Sequence, residues 1–134
     1  MHQQCTRGID PARDAEARAF RHRNVDRCVA ASDALPADTL VLPSHGKPFT
    51  GLHVRIAQLL QHHDARYADV LQACAVAPQS AADLLPVLFK RKLDMHQTTF
   101  AMGESIAHLH KLWFDARLTR TRDHDGVYRF QPTD

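Results

Sequence analysis

Ten histidines in 134 residues are many, and histidine is the commonest metal ligand among side chains. Spacing decides which of them can act together. Two ligands on one helix must sit three or four residues apart, because adjacent helical residues point about 100° away from each other. His62 and His63 are adjacent, His53 precedes His62 by nine residues, and His108 and His110 are two apart. These read as packed or capping side chains rather than ligand pairs, and His124 falls in a turn. His45 is different. It lies in the loop Pro43-Ser44-His45-Gly46, where the glycine permits a positive φ or a close backbone approach beside a bound group.

The other reactive residue types are less suggestive. Cys5, Cys28 and Cys74 are odd in number and form no Cys-x-x-Cys pair, which fits a reducing, cytoplasmic setting better than a disulfide framework. Cys74 lies on an apolar helical face and reads as a small buried hydrophobe. A formal charge of +2 is too small to argue for a nucleic-acid partner by itself. Cations nevertheless gather at Lys90, Arg91 and Lys92 and along Arg117, Arg120, Arg122 and Arg129. Lys90, Arg91, Lys92, Arg120 and Arg122 form the candidate polyanion contact, with solvation of an exposed edge as the plainer alternative. Phe89, Phe100, Trp113, Tyr128 and Phe130 read as a small core rather than a platform for stacking bases.

The elements that carry these residues follow from periodicity. With 44% hydrophobic and 24% charged residues the composition is globular. No apolar run approaches the roughly 18 residues needed to span a membrane. Residues 1–23 are rich in arginine, alanine and aspartate and have little to bury, whereas Val25, Cys28, Val29, Ser32 and Leu35 share one helical face. Thr39-Leu40-Val41-Leu42 is apolar on both faces, as a strand buried in a sheet would be, but almost no neighbouring strands precede it.

A long helix follows, with Thr50 as a possible cap. Leu52, Ile56, Leu59, Leu60, His63, Tyr67, Val70, Leu71 and Cys74 keep the 3.6 period, and Pro78 closes it. Ser80 with Asp83, and Asp94 with Gln97, are capping-box patterns that open two further helices. Pro86 kinks or breaks the first. The second is expected to bury Phe100, Ile106, Leu109 and Trp113, with Phe114 as a further candidate. Alternating runs on either side of Asp123-His124-Asp125-Gly126 predict a β-hairpin.

The string TLVLPSHGKPFTGLHVRIAQLLQHHDARYADVL resembles the end of the catalytic domain of metallo-β-lactamase-fold hydrolases, in particular the glyoxalase-II-like and lactamase-β-2-type subgroup. The helices and hairpin that follow, ending in DGVYRF, resemble the winged-helix domain appended there. The resemblance covers about residues 36–134. It implies that His45 is a metal ligand and that zinc is the cofactor of the full-length family. The family's main motif, His-x-His-x-Asp-His, does not occur in the chain. Hydrolytic zinc sites need about three protein ligands and an open position for activated water.

The expected fold is therefore mainly α with a small β-hairpin. A winged-helix-like C-terminal domain (63–134) follows a remnant strand and helices of a metallo-β-lactamase fold (36–62), with a loosely helical or disordered segment (1–35) before them. The expected function is that of a C-terminal fragment of a metal-dependent hydrolase, not catalytically competent alone and holding no zinc stably. A winged-helix nucleic-acid binder and a dimerisation or interaction module are the alternatives. The Asp94–Asp115 helix weakens the first alternative, because it carries Lys111 as its one permanent cation against Asp94, Glu104 and Asp115. The expected partners are a second copy or the missing catalytic domain.

Overall fold

A computed structural model describes residue 29 and residues 31–133. The readings made for residues 1–28, Cys5 and Cys28 included, lie outside the described residues. Two compact units divide the chain at Ala57/Gln58.

In the first unit, Ala31, Ser32 and Asp33 are helical, and a bend follows. The strand expected over residues 39–42 is reduced to one antiparallel bridge, Val41 to Phe49, closed by both backbone hydrogen bonds (2.8 and 3.1 Å). Leu40 and Leu42 are 62% and 73% exposed, which corrects the expectation of a buried strand. The physical reason is local: a run apolar on both faces needs neighbours on both sides, and the described residues supply one bridge partner. Gly46 and Gly51 both take positive φ, 99° and 91°. Helix α1, Leu52–Val76, begins directly after Gly51.

In the second unit, α1 ends before Pro78 and the chain turns into a short helix, α2 (Leu85–Leu88). The reciprocal Ser80–Asp83 hydrogen bonds form, but they close a turn over residues 81–84, and α2 starts after Leu84, which makes no side-chain cap hydrogen bond. The Asp83 carboxylate accepts from the Ser80 backbone N–H (2.9 Å) and hydroxyl (2.7 Å), and the Ser80 hydroxyl accepts from the Asp83 N–H (3.3 Å). Pro86 sits in the first turn of α2, where its missing N–H has no helical partner to lose. Helix α3, Met95–Phe114, opens on the complete Asp94–Gln97 capping box.

Strands β1 (Leu118–Arg122) and β2 (Tyr128–Pro132) pair antiparallel with Arg120 opposite Phe130. Their turn is set by Gly126 at φ 81° and by Asp123, whose carboxylate accepts from the N–H groups of Asp125 (3.1 Å) and Val127 (2.8 Å). A further bridge, Gln79 to Phe130, ties the hairpin to the segment after α1.

The core of this unit is Val70, Cys74, Leu84, Leu88, Leu109, Leu112, Leu118 and Phe130. The face that α3 turns inward carries Ala101, Ser105, His108, Leu109 and Leu112. Phe100 and Ile106, expected inside, are 68% and 43% exposed. On this inward face Ser105 Oγ donates to the Ala81 carbonyl at 2.8 Å, and His108 Nδ1 lies 2.8 Å from the Glu104 carbonyl. No helix of the described residues is long and apolar enough to cross a membrane.

Candidate functional site

His45 is held in an exposed bend between the two residues of the Val41–Phe49 bridge, followed by Gly46 in its left-handed conformation. A Cβ at Gly46 would meet no atom within 4 Å, so its backbone angle, not crowding, is what calls for glycine here. Among the described residues no group of three or more histidine, cysteine, aspartate or glutamate side chains is placed to hold a metal. A hydrolytic zinc ion needs such a donor set, and these residues do not fit one.

Of the five residues read as a polyanion contact, several are engaged within the fold. Arg91 donates to the Gln97 side chain (2.9 Å). Arg120 places its guanidinium 3.8 Å from the Trp113 ring centroid and 4.4 Å from that of Tyr128. Arg122 donates to the Gly126 carbonyl (2.9 Å) and lies 5.8 Å from the Tyr128 centroid. Lys90 and Lys92 are exposed.

Arg129, read from sequence only as part of the basic hairpin, joins two elements. It donates to Asp83 (2.6 Å) and to Asp123 (3.1 Å). Hydrogen bonds from the Ser80 hydroxyl and backbone, together with the Arg129 cation, hold the Asp83 carboxyl below its ordinary range. Asp123 is lowered by the Val127 backbone N–H first, with Arg129 assisting.

His53 meets the Leu35 carbonyl at 2.9 Å, and exposed His124 lies in the hairpin turn. His108 is 4% exposed and packs against His63 and Tyr67 of α1, with ring centroids 5.5 and 5.2 Å away. Burial, with Asp115 and Asp64 nearby, raises the Tyr67 phenol above its ordinary value. Helical periodicity along one chain segment gave no signal for this cluster, because it joins two helices distant in sequence. Cys74 is buried as expected, and burial pushes its thiol up to about 11, away from nucleophilic reactivity.

A half-open apolar hollow of about 310 Å³ lies between α3 and the hairpin, lined by residues that include Met102, Ile106, Val127 and Tyr128. It contains no convergent set of charged groups.

A family model described as the metallo-β-lactamase-like C-terminal domain matches residues 67–133. No curated protein matches the chain. Among solved structures, a β-lactamase domain protein from Burkholderia ambifaria is 50% identical, with a TM-score of 0.75 over 80% of this chain. The match takes in 32% of that protein, so the chain spans about a third of the length of this relative.

Proposed function

Because the chain belongs to the metallo-β-lactamase-like C-terminal domain family, we propose that it serves as the C-terminal part of a metal-dependent hydrolase of the glyoxalase-II-like, lactamase-β-2-type subgroup. The observation that carries this reading is the 50% identity over 80% of the chain to a β-lactamase domain protein about three times its length. His45 supplies one ligand of a zinc site whose other ligands come from a catalytic domain. The chain alone is not competent, since one loop histidine cannot hold and activate a hydrolytic metal. The order α2, α3, hairpin supports a winged-helix-like reading of residues 63–134. A reducing cytoplasm suits the buried Cys74 thiol.

A specific observation favours association with a catalytic domain over independent nucleic-acid binding. In the first unit Leu40, Leu42 and Val54 are each more than 60% exposed. Apolar side chains of this size mark a surface that a partner covers. Arg120 and Arg122, by contrast, are spent on Tyr128, Trp113 and Gly126.

The test is a chimera that places this chain behind the preceding two thirds of the Burkholderia ambifaria relative. It is expected to bind zinc, and His45→Ala in it should lower the zinc content and any hydrolysis of a chromogenic β-lactam or a thioester. The isolated chain should hydrolyse neither. Hydrolysis by the chain alone, or unchanged zinc content in the H45A chimera, overturns the assignment.

A further inference from the structure

The hairpin leaves one edge of its ladder open. In an antiparallel pair, alternate residues turn their N–H and C=O toward the partner strand, and the residues between turn theirs away. On β2, Phe130 donates to the Gln79 carbonyl (2.8 Å) and accepts from the Gln79 N–H (2.9 Å), which covers that strand's outer side. The bonds from Thr133 N–H to the Arg117 carbonyl and from Asp123 N–H to the Val127 carbonyl fix the phase, so Thr119 and Thr121 face β2. The N–H and C=O groups of Leu118, Arg120 and Arg122 therefore point outward, and they have no hydrogen-bond partner among the described residues. Leu118 is buried, Arg120 half-buried and Arg122 exposed, so the edge is open along the two arginines.

Charge selects what can pair there. Arg117, Arg120 and Arg122 line this strand and its approach, and none of them pairs with a carboxylate among the described residues. Arg120 is pinned over Trp113 and Tyr128, and Arg122 by the Gly126 carbonyl. These contacts fix the cations beside the edge without neutralising them. A second copy of the strand fits poorly. Antiparallel pairing centred on Arg120 sets that arginine against itself, and pairing centred on Thr121 sets Arg120 against Arg122. A phosphate backbone fits the charge but only accepts hydrogen bonds, which leaves the outward carbonyls unmet. An extended polypeptide offers donors and acceptors alternately, and acidic side chains on it match the arginines.

We propose that the outer edge of β1, at Arg120 and Arg122, takes an extended acidic peptide segment of a partner protein as an added antiparallel strand. Residues directly opposite each other share a face of the sheet, so the segment carries carboxylates two residues apart, one opposite each arginine. The like charges that keep copies of this edge from pairing with one another are then what admits the acidic strand. The edge is separate from the His45 loop and independent of the hydrolase reading.

Fluorescence anisotropy of a labelled peptide alternating glutamate and valine, titrated with the full chain at low salt, reads the interaction. Saturable binding is expected, together with slowed hydrogen exchange at the Arg120 and Arg122 amides. N-methylation of the glutamates, whose N–H groups face the edge, keeps every charge and should weaken binding about tenfold or more. N-methylation of the valines, whose N–H groups face away, should change it little. Arg122→Gln retains a side-chain donor for Gly126 and should weaken binding about two- to fivefold. Absence of binding, equal weakening by both methylation patterns, or unchanged exchange at the two amides overturns the proposal. So does tighter binding of a single-stranded oligonucleotide than of the peptide. Protection of the same amides on raising the chain concentration alone would make a second copy the occupant and overturn it as well.

Discussion

The face that α3 turns inward is open to a direct energetic test through Leu109→Ala. Leu109 is fully buried among Val70, Cys74, Leu84, Leu112 and Phe130. Truncating such a leucine removes its transfer free energy and leaves a cavity, together about 2–5 kcal/mol. At the usual per-residue stability, the unit from Gln58 to Asp134 holds about 4–12 kcal/mol in total. The substitution therefore removes a large fraction of the stability and should lower Tm by roughly 10–30 °C.

Ile106 lies one turn earlier on the same helix and is 43% exposed. Burying a whole isoleucine contributes about 1.5–3 kcal/mol, so Ile106→Ala should cost only about 1 kcal/mol. Leu109→Met, which conserves volume, should cost less than about 1.5 kcal/mol. Urea and thermal unfolding followed by circular dichroism measure all three. An L109A chain within about 1 kcal/mol of the original, or an I106A chain destabilised as much as L109A, would mean that the helix is rotated from the orientation described.

Two further outcomes follow from the titrating groups. Asp83 and Asp123 are both held below the ordinary carboxylate range, so the stability they confer is present above the unfolded value of about 3.9 and is lost as pH falls through their folded values. Urea unfolding at stepped pH should show this acid limb, flattened in the D83N/D123N double variant; an equally steep limb there would remove the Arg129 network as its cause. In a C5S/C28S variant, Cys74 should react with a thiol reagent only as fast as the unit opens, since its thiol is buried and raised to about 11. Rapid labelling without denaturant would contradict the packing of α1 described above.

Much of the local structure was legible in the sequence because local chemistry decides it. The Asp94–Gln97 capping box, the Ser80–Asp83 turn, the break at Pro78 and the Asp-Gly turn are set by residues within a few positions of one another. On α3 Leu109 is buried and Trp113 packs against the core as expected, but Phe100 and Ile106 were misplaced because they outweigh Ser105 and His108 on any hydrophobic count. What brings Ser105 and His108 inside is the placement of acceptors, one of them the Ala81 carbonyl 24 residues away. Residues 39–42 form a single bridge and leave Leu40 and Leu42 exposed, because their composition suits a sheet whose other strands the described residues do not contain. Neither helix alone signals that His63 and His108 meet, because their juxtaposition exists only after α1 and α3 pack.

Arg120 has a consequence for how folding can be watched. Trp113 is the one tryptophan of the chain, and a guanidinium from β1 rests 3.8 Å from its ring. The indole belongs to the helix and the charge to the hairpin, so the two meet only when the hairpin has docked. Indole emission responds to a nearby charge and to solvent contact. The chain thus carries its own optical gauge of hairpin closure, readable without a label.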